Sequence, residues 1–154
     1  MPHVGERRVP FPGDGEPSPD EVAAAEARAA TAALEADVER LLGEHPPEIG
    51  AIERALRVTI RSAFPAAVEQ VDFGNKLIAF GRSMKMRGLL FAIIAHRDWV
   101  NLQLADGAEL PDPDGLVEGT GKRIRHVKIR SVEAASSAAV VALIEAQLAA
   151  RPEG

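Results

Sequence analysis

The chain has 154 residues, 46% hydrophobic and 27% charged, with a net charge of −5 and no cysteine. That balance describes a globular domain with room for a terminal extension. The lack of cysteine excludes disulfides, thiolate nucleophiles and Cys-ligated zinc or iron–sulfur sites, and makes a cytoplasmic location the expectation.

The charge is unevenly spread. Residues 1–55 carry 12 Asp and Glu against 5 Arg, a net of −7, whereas residues 56–154 are net +2. A nucleic-acid binder usually shows a basic excess over its whole domain, so nucleic acid is not an expected partner. The apolar run Leu89–Ala95 falls far short of the roughly 20 residues of a membrane helix. The Pro-rich start lacks the apolar core of a signal peptide, and no membrane association is expected.

Residues 1–17 hold Pro2, Pro10, Pro12 and Pro17 with three glycines, and read as a disordered tail. Ser18-Pro19-Asp20-Glu21 supplies a hydroxyl cap, a proline suited to the first helical position and a reciprocal carboxylate. The helix it opens runs to Leu42, with Leu34, Val38 and Leu41 on one face and Gly43 as its stop. Up to Ala33 it offers mostly alanine to bury. Residues 18–45 are therefore expected to be a helical extension whose first half projects from a domain spanning 46–150.

A second helix starts at Pro46 or Pro47 and stops at Phe64, because Pro65 disfavours helical geometry in the residue before it. Ile49, Ile52, Leu56, Ile60 and Phe64 form its apolar stripe. Arg54, Arg57 and Arg61 share the opposite side and are expected as a solvated face. Beyond Val68 the period becomes strand-like. Residues 68–73 and 76–81 flank Gly74-Asn75 and predict a hairpin with a two-residue turn. A polar, basic turn at 82–87 leads to Leu89–Ala95, apolar on both alternations and so a central strand.

Residues 99–104 alternate cleanly, placing Val100, Leu102 and Leu104 toward the core and Trp99, Asn101 and Gln103 on the other face. A long acidic connection follows. Ile124 is out of phase with Val127 and Ile129, so the last strand begins near His126 or carries a bulge at Arg125. Ser131 caps a final helix with Val140, Val141, Ile144 and Leu148 as its stripe. The order predicts an α+β fold: an antiparallel sheet of about five strands with N-terminal helices and a C-terminal helix packed on it.

Gly115, Gly119, Gly121 and Lys122 invite comparison with a phosphate-binding P-loop. Five residues rather than four separate Gly115 from Gly121, Arg123 follows Lys122, and a strand comes next instead of a helix, which excludes the motif. Gly119 and Gly121 are expected to provide positive-φ turns. Lys122, Arg123, Arg125, His126, Lys128 and Arg130 form a basic run with no acid among them, and Arg82, Lys85 and Arg87 form a second basic turn. Such clusters can hold an anion. Glu35 and Glu39 stand one turn apart, and His45 and Glu48 are close in sequence, which makes these four the candidate oxygen and nitrogen ligands of a metal. His96 and His126 stand alone, and no Ser occupies a nucleophile elbow, so no catalytic set can be named.

Val71 to Phe80, Gly107-Ala108-Glu109-Leu110, Gly115 to Lys122 and Arg125 to Ile129 together resemble the bacterial YdhG-like domain of unknown function family. The resemblance covers roughly residues 48–149, and the motif at 115–122 is its more specific part. Phe73-Gly74-Asn75 departs from the Trp-Gly and following Pro common in the family. The resemblance implies a small α+β domain with helices against an antiparallel sheet. Some relatives are described as frataxin-like iron chaperones, which makes iron the cofactor of an alternative reading; no catalytic residues come with it.

The sequence thus leads to a non-enzymatic binding module for a small anionic ligand or a protein partner. Its expected surface is Trp99, Asn101 and Gln103, bordered by Gly119, Gly121, Lys122, Arg123, Arg125, His126 and Lys128. An iron carrier using Glu35, Glu39, His45 and Glu48 is the alternative. A homodimer through an exposed apolar sheet face is a third reading.

Overall fold

Ser18 accepts a hydrogen bond from the Glu21 amide at 3.1 Å, and Pro19 opens helix α1, Pro19–Leu42, as the capping pattern predicts. The computed structural model describes residues 15–153; residues 1–14 of the expected tail lie outside them. The chain divides within α1 into two compact units, Met1–Glu35 and Ala36–Gly154. In the first unit, residues 19–33 are exposed on every side. In the second, Val38, Leu41 and Leu42 are buried.

Helix α2, Pro47–Ala63, buries Ile49, Ile52, Leu56 and Ile60, and Phe64 terminates it. Of its arginines, Arg54 and Arg61 are exposed as expected, but Arg57 is not. Arg57 is largely buried in an ion pair with Glu69, Arg61 reaches the same carboxylate at 3.4 Å, and Arg54 is bound to Glu39 at 2.6 Å. The reason is Glu69, a buried carboxylate on the first strand that α2 must neutralise.

The strands are β1, Val68–Asp72; β2, Leu77–Gly81; β3, Leu89–Ala95; β4, Val100–Leu104; β5, Val117–Glu118; and β6, Arg125–Ile129. They form one antiparallel sheet in the order β1-β2-β3-β4-β6-β5. The fold is α+β, with six strands where about five were expected; the addition is the two-residue β5. The hairpin turn is longer than predicted, because Asp72 pairs with Leu77 and leaves four residues between the strands. Asp72 accepts from the Asn75 amide and side chain, both at 2.9 Å, which fixes that wider turn. Hydrogen bonding from the Asn75 side chain, then its backbone, holds the Asp72 carboxyl below its ordinary pKa.

Strand β6 begins at Arg125, with Ile124 outside it and exposed. The expected single final helix is two: α3, Val132–Ala135, capped by Ser131, and α4, Ala138–Ala150, capped by Ser137. The Ser137 hydroxyl accepts from the Val140 amide at 3.2 Å and restarts the chain in a new direction. The apolar segment Val132–Ala150 meets the length and composition of a membrane span as a whole. The break divides it, leaving α4 with 13 residues, below the roughly 20 needed to cross a bilayer.

Alternation sorts the sheet into two faces. Val71, Ile78, Phe80, Phe91, Ile93, Val100, Leu102, Leu104, Val127 and Ile129 form the buried face, against which α2 and α3 pack, with α4 against α2. Register places Gln70, Ala79, Ala92, Gln103 and His126 in one row across the opposite face, and Asp72, Leu77, Ile94, Asn101 and Lys128 in the next.

Between β2 and β3 the register shifts, and residues 82–88 fold back tightly. The Arg82 amide donates to the Gly88 carbonyl at 2.9 Å. A Cβ on Gly88 would lie 2.8 Å from the Ser83 carbonyl oxygen and 2.9 Å from its nitrogen, so backbone meets backbone there. Gly88→Ala is expected to cost about 2 kcal/mol through this clash, whereas Gly15→Ala, in open space, should be close to neutral. Urea denaturation of both variants checks the contrast.

Candidate functional site

A groove of about 1300 Å³ lies on the sheet face opposite α2 and α3. Its floor is the row Gln70, Ala79, Ala92 and Gln103, with the two alanines directly paired across β2 and β3. Small side chains at the centre and amides on either side leave a trough along the strand direction. Leu77, Leu90, Met84, Met86 and Ile124 make its apolar walls. Met86 is 85% exposed and Ile124 54%, large apolar side chains left facing water.

The groove is electrically polar. Arg82, Arg87, Arg123 and Arg151 line it, with Asp72 as the single carboxylate of the lining. Three of the arginines are held in place. Arg123 Nη2 donates to Asp106 Oδ1 at 2.9 Å, and Arg151 donates to both Asp106 oxygens, at 3.0 and 2.8 Å. Arg82 Nε donates to the Arg151 carbonyl at 3.1 Å, at the end of α4. The guanidinium of Arg87 is exposed and has no side-chain partner among the described residues.

Asp106 is the anchor of this corner. Gln147, wholly buried on α4, accepts from the Asp106 amide at 2.7 Å and donates to Oδ2 at 2.8 Å. Burial pushes the Asp106 pKa up, but hydrogen bonds from Gln147, Arg151 and Arg123 outweigh it and hold the carboxyl below its ordinary value.

Of the residues expected to bind ligand, Asn101, Gln103, His126 and Lys128 share the sheet face opposite the core, Arg125 falls in register with Leu104 on the other face, and Gly119, Gly121, Lys122 and Arg123 lie in the loop before β6, so they do not form one site. Gln103 and Arg123 line the groove. Asn101 lies beside Lys128, and Gln103 beside His126. Trp99 forms a separate cluster: it stacks on His96 with 5.2 Å between centroids, and Lys128 and Arg130 approach its ring at 4.6 and 5.3 Å. Its Nε1 donates to Asn101 Oδ1 at 2.9 Å. Lys128 also stands 3.6 Å from Glu118. Lys122 is exposed, and Arg125 Nε donates to the Gly121 carbonyl at 2.6 Å.

Of the two glycines expected at positive φ, only Gly119 is so disposed, at 124°; Gly115 is the other, at 65°. Gly121 is required for a different reason, since a Cβ there would lie 2.6 Å from the Ile124 carbonyl oxygen. The four proposed metal ligands are not assembled. Glu39 is bound to Arg54 and His45 Nδ1 lies 2.7 Å from Glu53, while no group of three or more His, Cys, Asp or Glu among the described residues could hold an ion. Glu53 is buried, its Oε2 has no hydrogen-bond partner among the described residues, and burial raises its pKa against the pull of His45.

Sequence reasoning missed Ala79, Ala92, Met84, Met86 and Arg87 as one surface. The signal available was strand parity, which puts both alanines on the face of Gln103, together with the basic turn at 82–87. Comparison of the chain with family models, curated proteins and solved structures returns no match.

Because its folded-state pKa is depressed, Asp106 stabilises the fold above the unfolded value of about 3.9, and this contribution is lost as pH falls through the folded pKa. Asp106→Asn is expected to cost about 3 kcal/mol at pH 7, with the gap from wild type narrowing below about pH 4. Urea unfolding at pH 7 and pH 3 measures both parts.

Proposed function

We propose that the chain is a cytoplasmic, non-enzymatic binding module of the YdhG-like kind, whose ligand is a small anion with an apolar body. The observation that carries this reading is the groove itself: an apolar trough on the sheet face opposite α2 and α3, ending beside Arg87, an arginine without a side-chain partner among the described residues. A guanidinium is suited to carboxylate or phosphate, and an adjacent apolar floor strengthens that attraction by excluding water.

Binding rather than catalysis is supported by what lines the groove. It contains no Ser, Thr, Cys, Lys or His, and its one carboxylate, Asp72, is engaged with Asn75. No nucleophile is set against a base, which acid–base and covalent mechanisms require. The sequence motifs at 71–80, 107–110, 115–122 and 125–129 support the YdhG-like reading, as does the α+β fold with helices on an antiparallel sheet.

The test uses 8-anilinonaphthalene-1-sulfonate as a ring-bearing anionic probe, with amide shifts followed by NMR. Saturable shifts are expected at Ala79, Arg87 and Ala92, and Arg87→Glu should weaken binding about tenfold or more. Absence of saturable binding, or shifts confined to 119–128, would reject the groove as the ligand seat.

A further inference from the structure

The trough has a direction. Leu77 and Asp72 lie at its hairpin end, and Gly81 and Leu90 lie at the other, where residues 82–88 bring Arg82 and Arg87. An anion is favoured at the arginine end and repelled by Asp72 at the hairpin end. The ligand that fits has one charged terminus only.

Its body is constrained as well. Gln70 and Gln103 flank the alanine pair across the strands, so the apolar strip is narrow in that direction and long in the other. From Leu77 to Gly81 a strand advances about 13 Å, the reach of an extended chain of roughly ten carbons. Met84 and Met86 add flexible walls that adapt to an aliphatic chain.

We propose that the groove takes an unbranched acyl carboxylate of about ten carbons, its carboxylate on Arg87 and its chain along Ala79 and Ala92 toward Leu77. This rests on the reading of the groove as a ligand seat for anions and narrows it to one chemical class. Arg123 and Arg151 act as positioning residues: held on Asp106, they set the positive end of the trough, and Arg151 donates to the Arg87 carbonyl at 3.0 Å. Charge decides the orientation of the chain, and apolar contact along the floor decides its length.

The experiment is a calorimetric series of butanoate, hexanoate, octanoate, decanoate and dodecanoate on the full chain, each below its micelle concentration. Each added methylene should tighten Kd about fourfold until the trough is filled, then stop doing so. Decyltrimethylammonium should bind at least tenfold more weakly than decanoate, given the charged hydrogen bond it lacks. Ala92→Leu, which fills the floor, should abolish decanoate binding while keeping a dispersed NMR spectrum. If that variant does not fold, Ala79→Leu and the wild-type length series decide the matter.

A Kd independent of chain length, while 8-anilinonaphthalene-1-sulfonate still binds, would overturn the acyl assignment and leave the anion module standing. Loss of both would overturn both. A wild-type dimer by light scattering that Ala92→Leu converts to monomer would reassign the trough to a second copy of the chain, and so overturn the proposal.

Discussion

A buried carboxylate is costly unless every lone pair is met, and Asp106 meets that condition with three side chains from two separate parts of the chain. Arg123 precedes β6, Gln147 lies on α4 and Arg151 follows it, and between them they occupy both carboxylate oxygens. Desolvation of the acid makes each partner necessary, since removing one leaves charge uncompensated in a poor solvent. The end of β4, the end of α4 and the approach to β6 are therefore tied at one point. From that point Arg151 reaches the Arg87 carbonyl, and Arg82 reaches back to the end of α4, so the turn at 82–88 is fixed by the same corner. The wall of the groove is in this sense a consequence of how one acid is neutralised.

The rest of the architecture explains why a groove is left at all. Helices α2 and α3 pack on one face of the sheet, through Ile78, Ile93, Leu102 and their neighbours, with α4 against α2. On the other face, Leu77, Ala79 and Ile94 remain partly exposed and Ala92 is buried only because it is small and lies on the floor. A sheet face this apolar, without a covering layer among the described residues, is the usual mark of a surface that meets something else. Cross-strand pairing of two alanines adds shape, because any larger pair would fill the depression.

Much of this order was legible in the sequence, and the exceptions have physical reasons. Helical stripes such as Ile49, Ile52, Leu56 and Ile60, and the alternation from Val100 to Leu104, carry strong periodic signals that burial confirms. The break between α3 and α4 was hidden because Ser136 and Ser137 sit in a run that could continue as helix; the extended Ser137 backbone and its hydroxyl's bond to the Val140 amide separate the two. Arg57 looked like a solvated residue because its partner Glu69 belongs to another element. The Asp106 corner was invisible for the same reason at longer range, as Gln147 stands 41 positions away. Alternation placed Gln103 on the correct face, yet the centre of the groove is made by alanines, whose side chains announce no chemistry.

The basic run from Lys122 to Arg130 was the most conspicuous feature of the sequence, and the structure shows why a high local charge is a poor guide to an anion site. Arg123 is bound to Asp106, Arg125 to the Gly121 carbonyl, and Lys128 to the face of Trp99 and to Glu118. A cation already paired must give up one partner to gain another, and the exchange gains little where water reaches both. Arg87 has no side-chain partner to lose among the described residues, and the surface beside it is apolar. An anion arriving there gains the charge interaction and the burial of its hydrocarbon together, whereas along β6 only the first is on offer. On the proposed reading, affinity therefore belongs with Arg87 at the trough and not with the denser cluster on the last strand.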